Sequence, residues 1–331
     1  MEKINAVITG VGGYVPEYVL TNDELSRMVE TNDEWIMTRI GIKERRILKD
    51  VTKGSSFMGI KAVEKLLAET GTSPEDVELL ICATSNPDYR FPSTASVIMH
   101  ETGLTNAYGY DLEAACAGFL VTLQSARAYI ESGLYKKVIV VAAEKMSSMT
   151  DYKDRATCPL FGDAAAAVLI EPTDEPVGII DGEFHVDGSG KDNLLMKAGG
   201  SARPTTHETV DLREHFVYQE GKAVYRNAVI DMLTSSQSVM KKNGLTPENL
   251  DWFVPHQANL RIIEAVGGRI KIPTEKILVN IQHYGNTSAA SIPLCLDEYK
   301  HRLKKGDRLV LTAFGAGFTW GALYLVWAFD S

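Results

Sequence analysis

The sequence has no apolar run near the ~20 residues needed to cross a bilayer. Its opening, MEKINAVITGVG, enters a strand-like pattern at once, with no basic-then-apolar leader in front of it. Cysteine is scarce and scattered: Cys82, Cys116, Cys158 and Cys295 show no metal-ligand spacing, and neither do the seven histidines. The expectation is free thiols in a reducing, cytoplasmic setting, with no metal site. Positive charge is in deficit, 34 Lys and Arg against 43 Asp and Glu. The net charge of -9 argues against a nucleic acid or an anionic membrane as the main partner. The dinucleotide fingerprint is missing too. Residues 4–11, INAVITGV, read as a buried strand, and Gly10, Gly12 and Gly13 read as the bend after it. GVGGYVP nevertheless lacks the G-x-G-x-x-G spacing, and Pro16 falls where a phosphate-cradling helix would run.

What is present is a chain of 331 residues, 45% apolar and 23% charged, long enough for a large core and two domains. The segment TNDELSRMVETNDEWIMTRIGIKERR opens with an Asn/Asp cap and continues with helical spacing. Trp35 and Arg39, four apart, share a face there. They either pack against the protein or stack a base and pair a phosphate. Residues 55–70 read as a helix with Met58, Ala62, Val63, Leu66 and Leu67 on one side. The turn and strand GTSPEDVELLICATSN follow it. A second helix, 223–243, is followed by GLTPENLDWFVPHQAN.

These two units superpose at a constant displacement of 173 residues: Gly71 on Gly244, Ser73 on Thr246, Val77 on Leu250, Glu78 on Asp251 and Asn86 on Asn259. The same displacement carries Gly133 onto Gly306 and Cys116 onto Ala289 in GNTSAAS. A fixed offset across separate elements indicates an internal duplication. Alternating helices and buried strands in each half predict sheets flanked by helices, with equivalent strand-end loops facing one cleft. The halves are placed at 1–174 and 223–331, joined by a connection over 175–222 that holds an inserted excursion, 195–222.

Cys116 stands in DLEAACAGFL, just before a run with helical spacing that Gly133 ends. Small neighbours leave room for another molecule, and the N-terminal end of a helix favours a thiolate. Alone, it reads more readily as a buried structural thiol. His256, at the end of the apolar strand DWFVP, and Asn286, in the turn YGNTSAAS, likewise have simple structural explanations. Brought together by the duplicated scaffold, the three read as a nucleophile with nitrogen donors for an oxyanion.

The strings NDEWIMTRIGIKERR, RFPSTAS, DLEAACAGF, FGDAAAAVL, PHQANLRII, HYGNTSAAS and GAGFTWGA run nearly end to end. Through them the chain resembles the β-ketoacyl-acyl carrier protein synthase III family of thiolase-like condensing enzymes. The resemblance implies an α/β fold of two duplicated halves in an αβαβα layering, and a reaction that needs no metal or redox cofactor, acyl-CoA being a substrate. It implies an initiating, decarboxylative condensation of an acyl-CoA, acetyl-CoA or another short chain, with malonyl-acyl carrier protein through an acyl-Cys116 intermediate. Cys116, His256 and Asn286 match the family's catalytic three, and the backbone N–H groups of Cys116 and Gly317 its oxyanion hole. CoA contacts fall on Trp35, Arg39, Arg155, Gly221 and Asn259, with Trp35 and Arg155 sandwiching the adenine. Leu160 and Phe161 become pocket or channel wall. Phe91 lines the acyl pocket of the neighbouring subunit in a homodimer, and Gln257, Arg261 and Arg226 (with Lys222 beside it) meet the carrier protein. Four features depart from the common pattern: the excursion SARPTTHETVDLREHFVYQEG, Lys222, Glu113, and alanines in FGDAAAA. They leave the primer open between acetyl, branched and longer chains. A secondary-product starter synthase and a non-catalytic acyl-CoA-binding subunit are the competing readings.

Overall fold

The computed structural model describes residues 4–330. Nine strands make its two main sheets. They are β1 (Asn5–Tyr14), β2 (Leu79–Ala83), β3 (Tyr108–Leu112), β4 (Val138–Lys145), β5 (Asp163–Thr173), β6 (Gly178–Val186), β7 (Trp252–Pro255), β8 (Arg308–Gly315) and β9 (Thr319–Val326). The first sheet has the order β1-β5-β4-β2-β3 and the second β7-β8-β9-β6. Pairing is parallel within β4-β2-β3 and between β7 and β8, and antiparallel elsewhere.

Six helices complete the layers: α1 (Ser55–Thr70), α2 (Thr94–Thr102), α3 (Gly118–Glu131), α4 (Gly221–Lys242), α5 (Leu260–Ile270) and α6 (Ser291–Tyr299). α1 and α2 cover the outer face of the first sheet, while α4 and α5 cover that of the second. α3 and α6 lie between the sheets in one continuous core that takes Phe119, Leu120 and Leu123 from α3, Ile292 and Leu296 from α6, and the inner faces of both sheets. The result is the αβαβα layering. Strands buried on both faces explain the uninterrupted apolar runs, such as VIVVAA in β4.

The duplication is visible in the backbone. Gly71 and Gly244 end α1 and α4 at φ +67° and +65°, and Gly133 and Gly306 share the left-handed region. Single-turn 3₁₀ segments at Ala115–Ala117 and Ser288–Ala290 lead into α3 and α6 at the same displacement. The strand order 1-5-4-2 of the first sheet reappears as 6-9-8-7 in the second. The counterpart of β3 is reduced to a parallel bridge between Phe253 and Ile277.

Three local expectations are corrected. Gly10, Gly12 and Gly13 lie inside β1, not in a bend after it. The reason is close packing: a Cβ on Gly12 would sit 2.7 Å from the Ala62 carbonyl oxygen and the Leu66 amide nitrogen of α1. The segment after Thr21 forms two short helices, Asn22–Leu25 and Asp33–Arg39, instead of one, each with its own cap. Thr21 accepts from the Glu24 N–H, and Asn32 from that of Trp35. Finally, residues 178–186, expected within a connection, form β6 and complete the second sheet against β9. The rest of the connection holds a small ribbon, Leu194–Met196 with Val217–Gln219, and between its strands the capped helix His207–Asp211.

Candidate active site

Cys116 sits in the 3₁₀ turn at the head of α3, His256 directly after β7, and Asn286 in the loop before α6. All three line a single cavity of about 950 Å³, at the upper end of the usual range for small-molecule sites. Trp35, Arg39, Leu160, Phe161, Gly221, Asn259, Arg261 and Gly317 share its wall. Phe91, Arg155, Arg226 and Gln257 are not among its lining residues.

The Cys116 turn is held against β8. Ala115 takes a left-handed φ of +47°, and a Cβ on Gly315 would lie 2.6 Å from the Cys116 amide nitrogen. Only glycine at 315 allows the two backbones to meet so closely. Gly317, with φ +135°, lies two residues on in the same turn. Burial pushes the Cys116 thiol up to about 12, and the nearby Glu144 carboxylate adds to the effect, against a hydrogen bond to Ser288. Desolvation thus works against the helix-end effect that favours a thiolate at this position. The sulfur is 3.7 Å from Ser288 Oγ.

His256 is 2% exposed and burial alone lowers its pKa to about 3, so the imidazole is neutral. Its Nδ1 lies 2.7 Å from Ser291 Oγ, which also accepts from the Gln257 N–H at 3.4 Å. The Asn286 loop is pinned by its own backbone: its N–H donates to Leu160 O at 2.8 Å, and its carbonyl accepts from Gly162 at 3.1 Å. The Asn286 side-chain oxygen accepts from the Ser288 N–H at 2.8 Å. That oxygen is therefore spent inside the turn, and the NH₂ is the end left to serve a substrate.

The more distant residues divide. Trp35 and Arg39 lie on the cavity wall, and the Arg155 guanidinium rests on the Trp35 ring at 5.2 Å. A ring between them needs two stacking gaps, roughly 7 Å in all, so the pair must open to admit one. Asn259 caps α5 through the Arg261 N–H and donates to Arg39 O at 3.2 Å. Arg261 is exposed, with its guanidinium over Tyr225 at 5.5 Å. Arg226 and Lys222, four apart on α4, are exposed as well. Phe91 is 86% exposed.

Gln257 is a correction. It is 1% exposed, its Nε2 donates to Pro255 O and Leu278 O, and its Oε1 accepts from the Asn280 and Ile281 N–H groups. An amide spent on four backbone groups braces the loop behind His256 and cannot meet a partner's surface.

Sequence reasoning missed Ser288, Ser291 and Glu144. Glu144 had a legible signal, a carboxylate closing the apolar run VIVVAA. It is wholly buried, accepts from the Ser85 N–H at 3.2 Å and from Ser288 Oγ at 3.0 Å, and burial raises its pKa to about 7.

A duplicated five-layer α/β fold that sets a cysteine from one half against a histidine and an asparagine from the other defines a thiolase-like condensing enzyme. Residues 110–188 match the family described as 3-oxoacyl-[acyl-carrier-protein] synthase III, and residues 240–327 match its C-terminal part. The chain is 57% identical over 330 residues to beta-ketoacyl-[acyl-carrier-protein] synthase III 2 of Bacteroides thetaiotaomicron, covering 100% of this chain and 98% of that one. The crystal structure of 3-oxoacyl-[acyl-carrier-protein] synthase III from Aquifex aeolicus superposes with a TM-score of 0.89 at 40% identity, over 97% of this chain and 100% of the other. The priming beta-ketosynthase of the R1128 polyketide pathway superposes at 0.91 with 33% identity, over 100% and 98%. The chain belongs to the β-ketoacyl-acyl carrier protein synthase III family and is a condensing acyltransferase.

Proposed function

We propose that this chain joins an acyl-CoA to malonyl-acyl carrier protein with loss of CO₂, and that Cys116, His256 and Asn286 carry the chemistry. The observation that supports this most is the convergence of the three on one cavity, with a neutral imidazole and an amide whose oxygen is already engaged. Cys116 attacks the acyl-CoA carbonyl, and the backbone N–H groups of Cys116 and Gly317 receive the oxyanion. CoA leaves, and the acyl group remains on sulfur. Loss of CO₂ from the malonyl thioester then places negative charge on its carbonyl oxygen. The Asn286 NH₂ and the His256 ring N–H stabilise that oxygen, and the resulting carbanion equivalent attacks the acyl-Cys116 carbonyl.

This role requires the His256 proton on Nε2. Donation by the Ser291 hydroxyl to Nδ1 sets that tautomer, and the Gln257 N–H on the same oxygen supports it. A neutral imidazole whose pKa burial lowers to about 3 keeps one N–H to donate and is a weak base, which suits charge stabilisation better than general-base work.

Around this centre, Trp35, Arg39, Gly221 and Asn259 form the wall along which the CoA arm runs, with Arg155 opening from Trp35 to take the adenine. Arg261, Arg226 and Lys222 form an exposed basic spot on an acidic protein, suited to an acidic carrier protein. Phe91, exposed in a loop away from the cavity, is assigned to the acyl pocket of a second subunit.

The test is condensation with purified components. Acyl-CoA and malonyl-acyl carrier protein should give a 3-oxoacyl-acyl carrier protein with wild type and none with Cys116→Ala. Product from malonyl-CoA in place of malonyl-acyl carrier protein would point instead to a starter synthase of secondary metabolism.

A further inference from the structure

Cys116 is half-buried on the cavity wall, in surroundings that disfavour its thiolate, and it needs a proton acceptor. The hydrogen-bonding atom that the structure sets against its sulfur is the Ser288 hydroxyl, 3.7 Å away. That hydroxyl in turn donates to Glu144 Oε1 at 3.0 Å. Glu144 is wholly buried at the C-terminal end of β4. Its other contacts come from neutral donors: the Ser85 N–H at 3.2 Å, the Thr84 hydroxyl at 3.4 Å and the Ala289 N–H. The titratable groups it faces are Cys116 and Cys82, the latter on β2, and its charge raises both. The next residue, Lys145, is turned away and donates to the carbonyls of Asp50 and Lys53.

We propose that Ser288 and Glu144 form a proton relay that deprotonates Cys116 as it attacks. The inference rests on the reading of Cys116 as nucleophile. As the bond from Cys116 Sγ to the acyl carbon forms, the S–H proton passes to Ser288 Oγ, and the Ser288 proton passes to the Glu144 carboxylate. When the C–S bond of the donor thioester breaks, the two transfers reverse and the proton leaves on the CoA sulfur. The site ends with the charge it began with, and no further reactant is needed. Ser288 touches the reacting sulfur; Glu144 acts through it.

A buried carboxylate close to a thiol has two opposed effects. As a mere charge it repels the thiolate, so its removal speeds reaction at sulfur. As a proton acceptor it makes the thiolate, so its removal slows it. Iodoacetamide reads the difference without any acyl-CoA, so the relay is tested independently of the proposed donor. In wild type, Cys116 alkylation should rise through pH 7 as Glu144 loses its proton and then level off. Glu144→Gln should alkylate on the order of 10²-fold more slowly at pH 7.5 and rise only toward the thiol's own high pKa. Ser288→Ala should fall equally while keeping the carboxylate. Alanine is accommodated there, because Ala115 holds the equivalent left-handed backbone in the first half. This variant decides the matter if Glu144→Gln does not fold. Alkylation at the wild-type rate or faster, in either folded variant, overturns the relay. Acyl-CoA loading of wild type, measured beside it, tests the nucleophile reading separately.

Discussion

Ala115 and Ser288 stand 173 positions apart and hold the same left-handed backbone, φ +47° and +51°. Each opens the 3₁₀ turn that feeds a central helix, and the two turns meet where the halves join. One presents the Cys116 sulfur, and the other presents the hydroxyl facing it. A duplicated structural device has thus become an asymmetric site, with the thiol from one copy and its polar surroundings from the other.

Asn286 and His256 should matter to only one half of the reaction. Asn286→Ala and His256→Ala are expected to lower malonyl-acyl carrier protein decarboxylation about 10²–10³-fold, the usual cost of an oxyanion donor. Acylation of Cys116 should stay close to wild type. Rapid-quench measurement of acyl transfer, beside CO₂ release, separates the two.

His256 also carries a pH signature in stability. Its folded pKa of about 3 lies below the ordinary 6.5, so the unfolded chain binds the proton more readily. The resulting stability is present above pH 6.5 and is lost as pH falls toward 3. At pH 5 the loss is about 2 kcal/mol. Urea unfolding of wild type and His256→Asn at pH 7 and pH 5 should show wild type losing more by roughly that amount. Because burial raises Glu144 and Asp163, which contribute in the opposite sense, the comparison is made between proteins at each pH.

Gln257 and Arg261 are four apart in sequence but should behave in opposite ways. Gln257→Ala strips partners from the buried Asn280 and Ile281 N–H groups and should cost about 2–3 kcal/mol of stability. Arg261→Ala should leave stability within about 0.5 kcal/mol and raise KM for the carrier protein, with a weaker salt dependence than wild type. Denaturation and steady-state kinetics read the two effects.

Gly12 and Gly71 separate close packing from backbone strain. Gly12→Ala drives a methyl into the backbone of α1 and should cost about 2–3 kcal/mol. Gly71→Ala meets open space and should cost only about 1 kcal/mol for its left-handed φ. Equilibrium unfolding of both variants checks the ranking.

Much of this was legible in the sequence. The helix 55–70 and its buried face follow from spacing, and the duplication follows from a constant offset through Gly71/Gly244, Cys116/Ala289 and Gly133/Gly306. Cys116, His256 and Asn286 were visible because each ends or begins a strongly patterned segment. Less was visible where long-range pairing decides. β6 belongs to the second sheet because β9 is there to pair with it, which no local pattern reports. Gly12 reads as a turn residue until α1 is laid across it. Gln257 sits beside His256 in sequence, yet its amide is consumed by a loop more than twenty residues later. Ser288 and Glu144 meet only in three dimensions, 144 positions apart.

The central claim is that Cys116 becomes acylated, and intact-protein mass after mixing with acyl-CoAs of increasing length and branching tests it most directly. The account predicts a gain of one acyl group in wild type and none in Cys116→Ala, with the fastest-loading donor identifying the primer. No gain with any short, branched or medium-chain donor, or an equal gain in Cys116→Ala, would contradict it.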